Sequence, residues 1–301
     1  MMQFFDYPTR SMKVLLPLLF VLSGFAAAAQ TVQLSYNVKP GSIWKFKQTE
    51  QTSALAQTND GRSTKFEKKT TRYFTIEIEE AGISGVQFLF RQDTAVVEER
   101  DALASGRQID PENILTRKPV RVRISPSGKV ESTIPTVPLR AEALLGLPGG
   151  DALFAQRAAI LPVLPMRPLG IGDSWTESAS DTLYPSKELP QLGRGNGVRH
   201  IANATTYSVA ERSTKMGIEC LKIQWRGQLF MEEKILFPSL EEFSEEQGSI
   251  DGTLYVSLDS GLPIEMEVRS EKENTRALFG GQNTVIPSSI STITTLEFIP
   301  Q

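Results

Sequence analysis

A regular alternation of apolar and polar residues limits what this 301-residue chain can fold into. Between Arg72 and Arg91, apolar residues occupy positions 74, 76 and 78 and then 86, 88 and 90, on either side of a glycine-containing turn at 81–85. Side chains alternate between the two faces of a strand, so this period predicts a hairpin with one apolar and one solvated face. The same pattern at 120–124, 221–226 and 254–269 predicts a mainly β, antiparallel protein.

Matching landmarks indicate that the pattern occurs twice. Trp44 and Trp175 each follow a glycine after two intervening residues, and they are 131 positions apart. Three further pairs have similar offsets: Tyr73 with Tyr207, Gly82 with Gly217, and Gly128 with Gly261. We therefore predict two pseudo-repeated antiparallel β units, over residues 30–137 and 171–301, that form a curved sheet or a pair of half-barrels.

The predicted units are joined by residues 138–170. Leucine and alanine dominate 138–161, which predicts two short linking helices, the second beginning near Asp151. Prolines at 162, 165 and 168 exclude regular structure in the segment that contains them and stiffen the approach to Gly172. Two further stretches, the glycine-rich 193–197 and the acidic 241–246, are predicted to be a mobile loop and a charged connector.

Residues 1–29 have the features of an export signal. Arg10 and Lys13 precede an apolar run from Val14 to about Phe25, and four alanines end at Ala29. That run is shorter than the roughly 20 residues that span a bilayer, so we expect cleavage near Ala29 and no transmembrane segment afterwards. Met12 would also make an orthodox start for such a signal. We expect a periplasmic or extracellular location, and no lipid anchor, because Cys220 lies far from the cleavage site.

Charge and residue types exclude several classes of function. Removal of residues 1–29 takes away one acidic and two basic residues and moves the formal net charge from −3 to −4. That balance argues against a nucleic-acid partner. The single histidine, His200, and the single cysteine, Cys220, are too few for an ordinary zinc or copper site, so we expect no metal and no cofactor.

No arrangement of residues supports catalysis. A serine–histidine–aspartate triad would have to use His200, and no Gly-x-Ser-x-Gly motif accompanies it. Most carboxylates fall on predicted solvent faces, and Asp173 is interpreted as a turn carboxylate that binds local backbone N–H groups. We therefore predict no catalytic residues.

Trp44 and Trp175 are the candidate ligand residues. Their matching positions in the two predicted units would place them in related surroundings, either in the core or along a shared apolar cleft.

Three short motifs carry a family resemblance. Gly-Asp-Ser-Trp at 172–175, Ser-Pro-Ser-Gly-Lys-Val at 125–130 and Leu-Asp-Ser-Gly-Leu-Pro-Ile at 258–264 resemble those of exported bacterial β-rich proteins grouped as a domain of unknown function. The resemblance implies an envelope or secreted location and assigns no catalytic residue.

Two functional hypotheses follow. The first is an exported, non-enzymatic binding protein that holds an apolar ligand or lipid in a curved β-sheet. The alternative is a structural or protein-interaction module of the bacterial cell envelope, whose edge strands recruit an envelope protein.

Overall fold

A computed structural model describes residues 31–57, 62–101, 116, 118–136, 161–189, 193–280 and 283–300. These residues form a mainly β structure without a helix, which confirms the predicted class. The short linking helices predicted within 138–161 are not seen, and all but the last of those positions lie outside the described residues. The described residues contain no helix long and apolar enough to cross a membrane.

Twelve strands form one antiparallel sheet. In chain order they are β1 (Ile43–Gln57), β2 (Ser63–Gly82), β3 (Gly85–Asp101), β4 (Val120–Ile124), β5 (Val130–Pro135), β6 (Ser174–Leu183), β7 (Ser186–Leu189), β8 (Gly193–Lys215), β9 (Ile218–Leu236), β10 (Glu241–Ser257), β11 (Pro263–Phe279) and β12 (Thr284–Ile299). Their order across the sheet is β5-β4-β3-β2-β1-β12-β11-β10-β9-β8-β6, and β7 also pairs with β8. Within the described residues the sheet does not close, so β5 and β6 are its edges.

The core lies on one face of the sheet, at one end of the long strands. We call this the inner face; it carries Phe46, Ile76, Val122, Ile223 and Leu296, which are all buried. Beyond the core the same alternation continues, and most inner residues of β11 and β12 are half-buried while most of their outer neighbours are exposed. The predicted hairpin over 72–91 is confirmed, with β2 and β3 joined at Ile83 and Ser84.

The proline-rich segment 161–173 connects the two edges of the sheet across the core. The Leu164 N–H donates to the carbonyl of Ser127 in the β4–β5 turn at 2.6 Å, and the Gly172 N–H donates to the carbonyl of Val209 in β8 at 2.9 Å. Between them, Leu169 and Val32 exchange two backbone hydrogen bonds of 2.8 Å. Leu161, Leu164 and Leu169 are buried in the core, which stabilises the crossing.

The glycine-rich stretch 193–197 is the start of β8, so the predicted loop is wrong. Gly195 and Gly197 lie on the inner face under Phe237 and Ile235: a Cβ atom would come within 2.6 Å of Phe237 Cε1 at Gly195, and within 2.8 Å of Ile235 Cγ1 at Gly197. Glycine is needed because the side chains of one strand lie directly on the backbone of the next.

The acidic stretch 241–246 is also a strand, the start of β10, and not a connector. Its inner carboxylates are paired: Glu242 with Arg276 at 2.9 Å and Glu246 with Lys272 at 2.8 Å. Both basic partners lie on the inner face of β11. Opposite charges on neighbouring strands let acidic residues occupy a protected face.

Candidate functional site

Three aromatic rings lie side by side on the inner face where the sheet reaches its β6 edge. Trp175 of β6 is paired with Tyr207 of β8, and Tyr207 is paired with Trp225 of β9. The ring centroids of Trp175 and Tyr207 are 5.0 Å apart at an interplanar angle of 9°, and those of Tyr207 and Trp225 are 6.2 Å apart at 37°. We call these three residues the aromatic row.

The row ends over a glycine of β10. Gly252 is paired with Trp225, and a Cβ atom at this position would lie 2.2 Å from Cζ2 of the indole. The absence of a side chain leaves room for the Trp225 indole at this position of β10. Gly252 therefore makes the observed position of this ring possible.

The three rings are half-buried and pack against the hydrophobic core. The Trp175 Nε1 atom is sheltered from solvent, yet it has no hydrogen-bond partner among the described residues. A sheltered N–H without an acceptor costs about 1–3 kcal/mol. This N–H is therefore a local cost to stability at the β6 edge.

The Tyr207 hydroxyl is in a less polar setting than water. Burial raises the pKa of Tyr207, and the negative charge of Glu177 adds to the increase. The phenol therefore stays neutral over a wider pH range than an exposed tyrosine. The three rings present an apolar surface, with the Glu177 carboxylate near it.

Trp44 lies in a different aromatic group. Its ring centroid is 5.2 Å from that of Phe298, which in turn contacts Phe46, and Phe46 stacks on Phe74. The Trp44 Nε1–H donates to Ser42 Oγ at 3.3 Å. No ring contact joins Trp44 to Trp175 in the part of the chain that the structure describes, and the role of both as ligand residues stays a prediction.

The sequence also offered Asp173, His200 and Cys220 as residues that could take part in chemistry, and the structure shows the local contacts of each. Asp173 accepts a hydrogen bond from the Gly170 N–H at 2.8 Å, as interpreted, and is paired with Arg167 at 3.3 Å. His200 is exposed, with Nδ1 3.0 Å from Thr182 Oγ1, and Cys220 is buried. Among the described residues, no group of three or more His, Cys, Asp or Glu could hold a metal ion.

The outer face has a groove of another character. It has a volume of about 450 Å³ and crosses from β9 to β1. Its lining includes Ser53, Gln228, Ser249, Glu271 and Ser289. Hydroxyl, amide and carboxylate groups dominate this surface, so the aromatic row suits an apolar ligand better.

Sequence reasoning missed Tyr207 and Trp225 as site residues. The alternation places both in strands, but it does not give the register between strands. The pairing of Trp175 with Tyr207 and of Tyr207 with Trp225 depends on that register. The signal available in the sequence is that each of these three strands contains a large aromatic residue.

No protein-family model and no curated protein matches the chain. Among solved structures, OpdQ of Pseudomonas aeruginosa aligns at a TM-score of 0.29 and 5% identity, over 87% of this chain and 100% of that chain. Neisserial surface protein A (NspA) aligns at a TM-score of 0.20 and 6% identity, over 84% of this chain and 96% of that chain. A Bacteroides fragilis protein with a YmcC-like fold aligns at a TM-score of 0.21 and 11% identity, over 89% of this chain and 100% of that chain. At such low TM-scores these likenesses assign neither fold family nor function to this chain.

Proposed function

We propose that this is an exported, non-enzymatic binding protein whose inner sheet face holds an apolar ligand or lipid against the aromatic row. The observation that carries the proposal is the row itself, three half-buried rings that reach an open sheet edge. Aromatic rings offer large apolar area, and each 100 Å² covered by a ligand contributes about 2.5 kcal/mol.

Ligand binding can be tested with the purified full chain. We expect a lipid or another apolar molecule in its organic extract by mass spectrometry, and an increase in the fluorescence of N-phenyl-1-naphthylamine when the probe is added. Tyr207→Ala should weaken probe binding by about tenfold, because it divides the row and removes apolar contact area. Trp44→Phe is the matched control and should bind the probe as the unaltered protein does. An empty extract together with probe binding that ignores Tyr207→Ala would contradict the proposal.

We further propose export through residues 1–29, into the periplasm or the extracellular space, without a lipid anchor. Support comes from the apolar run after Arg10 and Lys13 and from the alanines before Gln30. This location agrees with the family resemblance of the turn motifs. Cell fractionation and N-terminal sequencing test it: a cytoplasmic protein that keeps Met1 or Met12 would be the contrary result.

We also propose that residues 30–137 and 171–301 arose by duplication and form two curved units. Two registers support this: Trp44 pairs with Ile76 and Trp175 with Tyr207, so both members of the second pair lie 131 positions after those of the first. Under this alignment the counterpart of Tyr207 is Ile76. Tyr73 is not the counterpart, because it lies on the outer face. Superposition of the two halves in a crystal structure would test the alignment.

A further inference from the structure

The edge strand β6 has backbone groups without a partner among the described residues in its middle, and side chains bind its backbone at both ends. Val209 N–H donates to the Asp173 carbonyl at 2.9 Å, and the register continues without a shift from Ser174 opposite Ser208 to Leu183 opposite Arg199. In an antiparallel ladder, alternate residues direct their backbone groups to the neighbouring strand. The odd-numbered residues of β6 therefore face β8, and the even-numbered residues face the open edge.

Side chains occupy the two ends of this edge. At the start of β6, Arg167 Nη2 donates to the Ser174 carbonyl at 3.2 Å. At the end, the Thr182 N–H donates to Asp181 Oδ1 at 2.7 Å. Both contacts involve even-numbered residues, as the register requires. Between them, the backbone N–H and C=O groups of Thr176, Ser178 and Ser180 have no partner among the described residues.

The opposite edge of the sheet is less suited to pairing. The edge strand β5 has 6 residues and ends at Pro135, which has no N–H to donate. β6 has 10 residues and no proline. An added strand would therefore find its hydrogen-bonding partners on β6.

Charge identifies the kind of strand that fits. Glu177 and Asp181 lie on the inner face of β6, and both are exposed. The guanidinium groups at the two ends of the strand are already paired: Arg167 with Asp173 at 3.3 Å, and Arg199, opposite Leu183, with Glu233 at 2.6 Å. A second copy of β6 would bring four carboxylates onto one face, and like charges on paired strands are destabilising.

We propose that β6 binds an extended segment of a partner protein with basic residues at alternate positions, which adds to the sheet through Thr176, Ser178 and Ser180. The partner's backbone supplies the hydrogen bonds, and its lysine or arginine side chains lie beside Glu177 and Asp181. The partner's other side chains lie beside the hydroxyl groups of the outer face. This site adjoins the aromatic row, because Trp175 lies on the same strand, but the proposal does not depend on an apolar ligand.

The test uses the full chain and two labelled peptides, one of alternating threonine and lysine and one with glutamate in place of lysine. Fluorescence anisotropy should show tighter binding of the lysine peptide by about tenfold or more at low salt. Ser178→Pro should abolish that binding, because it removes an N–H that faces the open edge and leaves the β6–β8 pairing intact. Ser178→Ala, which keeps the N–H, should bind as the unaltered protein does.

A second variant keeps the test informative if the proline disturbs β6. Glu177→Gln combined with Asp181→Asn keeps the acceptor for Thr182 N–H and removes both charges, so the lysine and glutamate peptides should then bind alike. Binding that survives Ser178→Pro, or a preference for lysine that survives the double substitution, would overturn the proposal. So would a dimer in sedimentation experiments that Ser178→Pro dissociates, since the occupant would then be a second copy.

Discussion

The surroundings of Trp44 and Trp175 differ in a way that follows from their places in the sheet. Trp44 lies on β1, which has β2 on one side and β12 on the other, and its ring contacts Phe298 from β12. Trp175 lies on the edge strand β6, which has a neighbouring strand on one side only in the described part of the chain. The Trp44 N–H has an acceptor in Ser42, and the Trp175 N–H has none among the described residues.

The number of neighbouring strands determines how much of each tryptophan ring the fold can cover. A ring between two strands is covered by the side chains of both, and its contribution goes to stability. A ring on an edge strand has such cover from one neighbouring strand, although Trp44 and Trp175 are both half-buried. If Trp175 serves the recognition that we propose and Trp44 only stabilises the fold, substitutions in the two groups should have different consequences.

The largest expected effect is in the Trp44 group. Phe46 is fully buried, with its ring centroid 5.4 Å from Phe74 and 5.9 Å from Phe298. Phe46→Ala should lower the free energy of unfolding by about 3–5 kcal/mol, because it leaves a cavity between the two rings. Urea denaturation measures this. Tyr207→Ala, in the half-buried row, should cost less, and an equal or larger loss there would contradict the comparison.

The next effect is on the position of the aromatic row. Gly252→Ala would place a methyl group 2.2 Å from Trp225 Cζ2 and 2.7 Å from the Glu267 carbonyl oxygen. It should cost about 1–3 kcal/mol and alter the near-UV circular dichroism of the tryptophans. Gly82→Ala is the control, since a Cβ atom at Gly82 would meet no atom within 4 Å. Equal spectra and stabilities for the two variants would show that Gly252 does not position the row.

The sequence predicts the strands of this sheet better than it predicts their pairing. Alternation at Phe74, Ile76 and Ile78 is local, so the inner face of β2 can be recognised without knowledge of its neighbours. The strand at 193–197 cannot be recognised from its own sequence, because its glycines make room for Phe237 and Ile235, about 40 residues later in the chain.

The site shows the same limit. Trp175 could be selected as a candidate from its position after Gly172, but its ring neighbours could not be named. A register shift of one residue would move Tyr207 to the other face of β8. The unpartnered Trp175 N–H depends on the surroundings that this register creates.

A smaller effect isolates the two indole N–H groups. Trp44→Phe and Trp175→Phe remove the same volume, but only the first breaks a described hydrogen bond, and the second removes an N–H without a partner. Trp175→Phe should therefore cost less than Trp44→Phe, by about 1–2 kcal/mol in the free energy of unfolding. Equal costs would indicate that the Trp175 N–H has an acceptor in solution, and extraction of bound ligand before the measurement would distinguish a ligand from water.

The smallest effect is a difference in alkaline stability. Ile76, which is paired with Trp44 as Tyr207 is paired with Trp175, does not ionise, whereas burial and then Glu177 raise the pKa of Tyr207 above its ordinary value near 10. A raised pKa in the folded state means that the neutral phenol is favoured there. The stability that this contributes is fully present below about pH 10 and is lost as the pH rises through the folded pKa.

Tyr207→Phe should therefore reduce the loss of stability between neutral pH and the pH range above 10, and the change should stay below about 1 kcal/mol because the ring is only half-buried. Urea midpoints at the two pH values measure it. Tyr73→Phe is the matched control, because Tyr73 lies on the outer face with 38% of its surface exposed. If Tyr73→Phe reduces the alkaline loss as much as Tyr207→Phe does, the loss reflects ionisation of tyrosines in general, and the two aromatic groups do not differ in this respect.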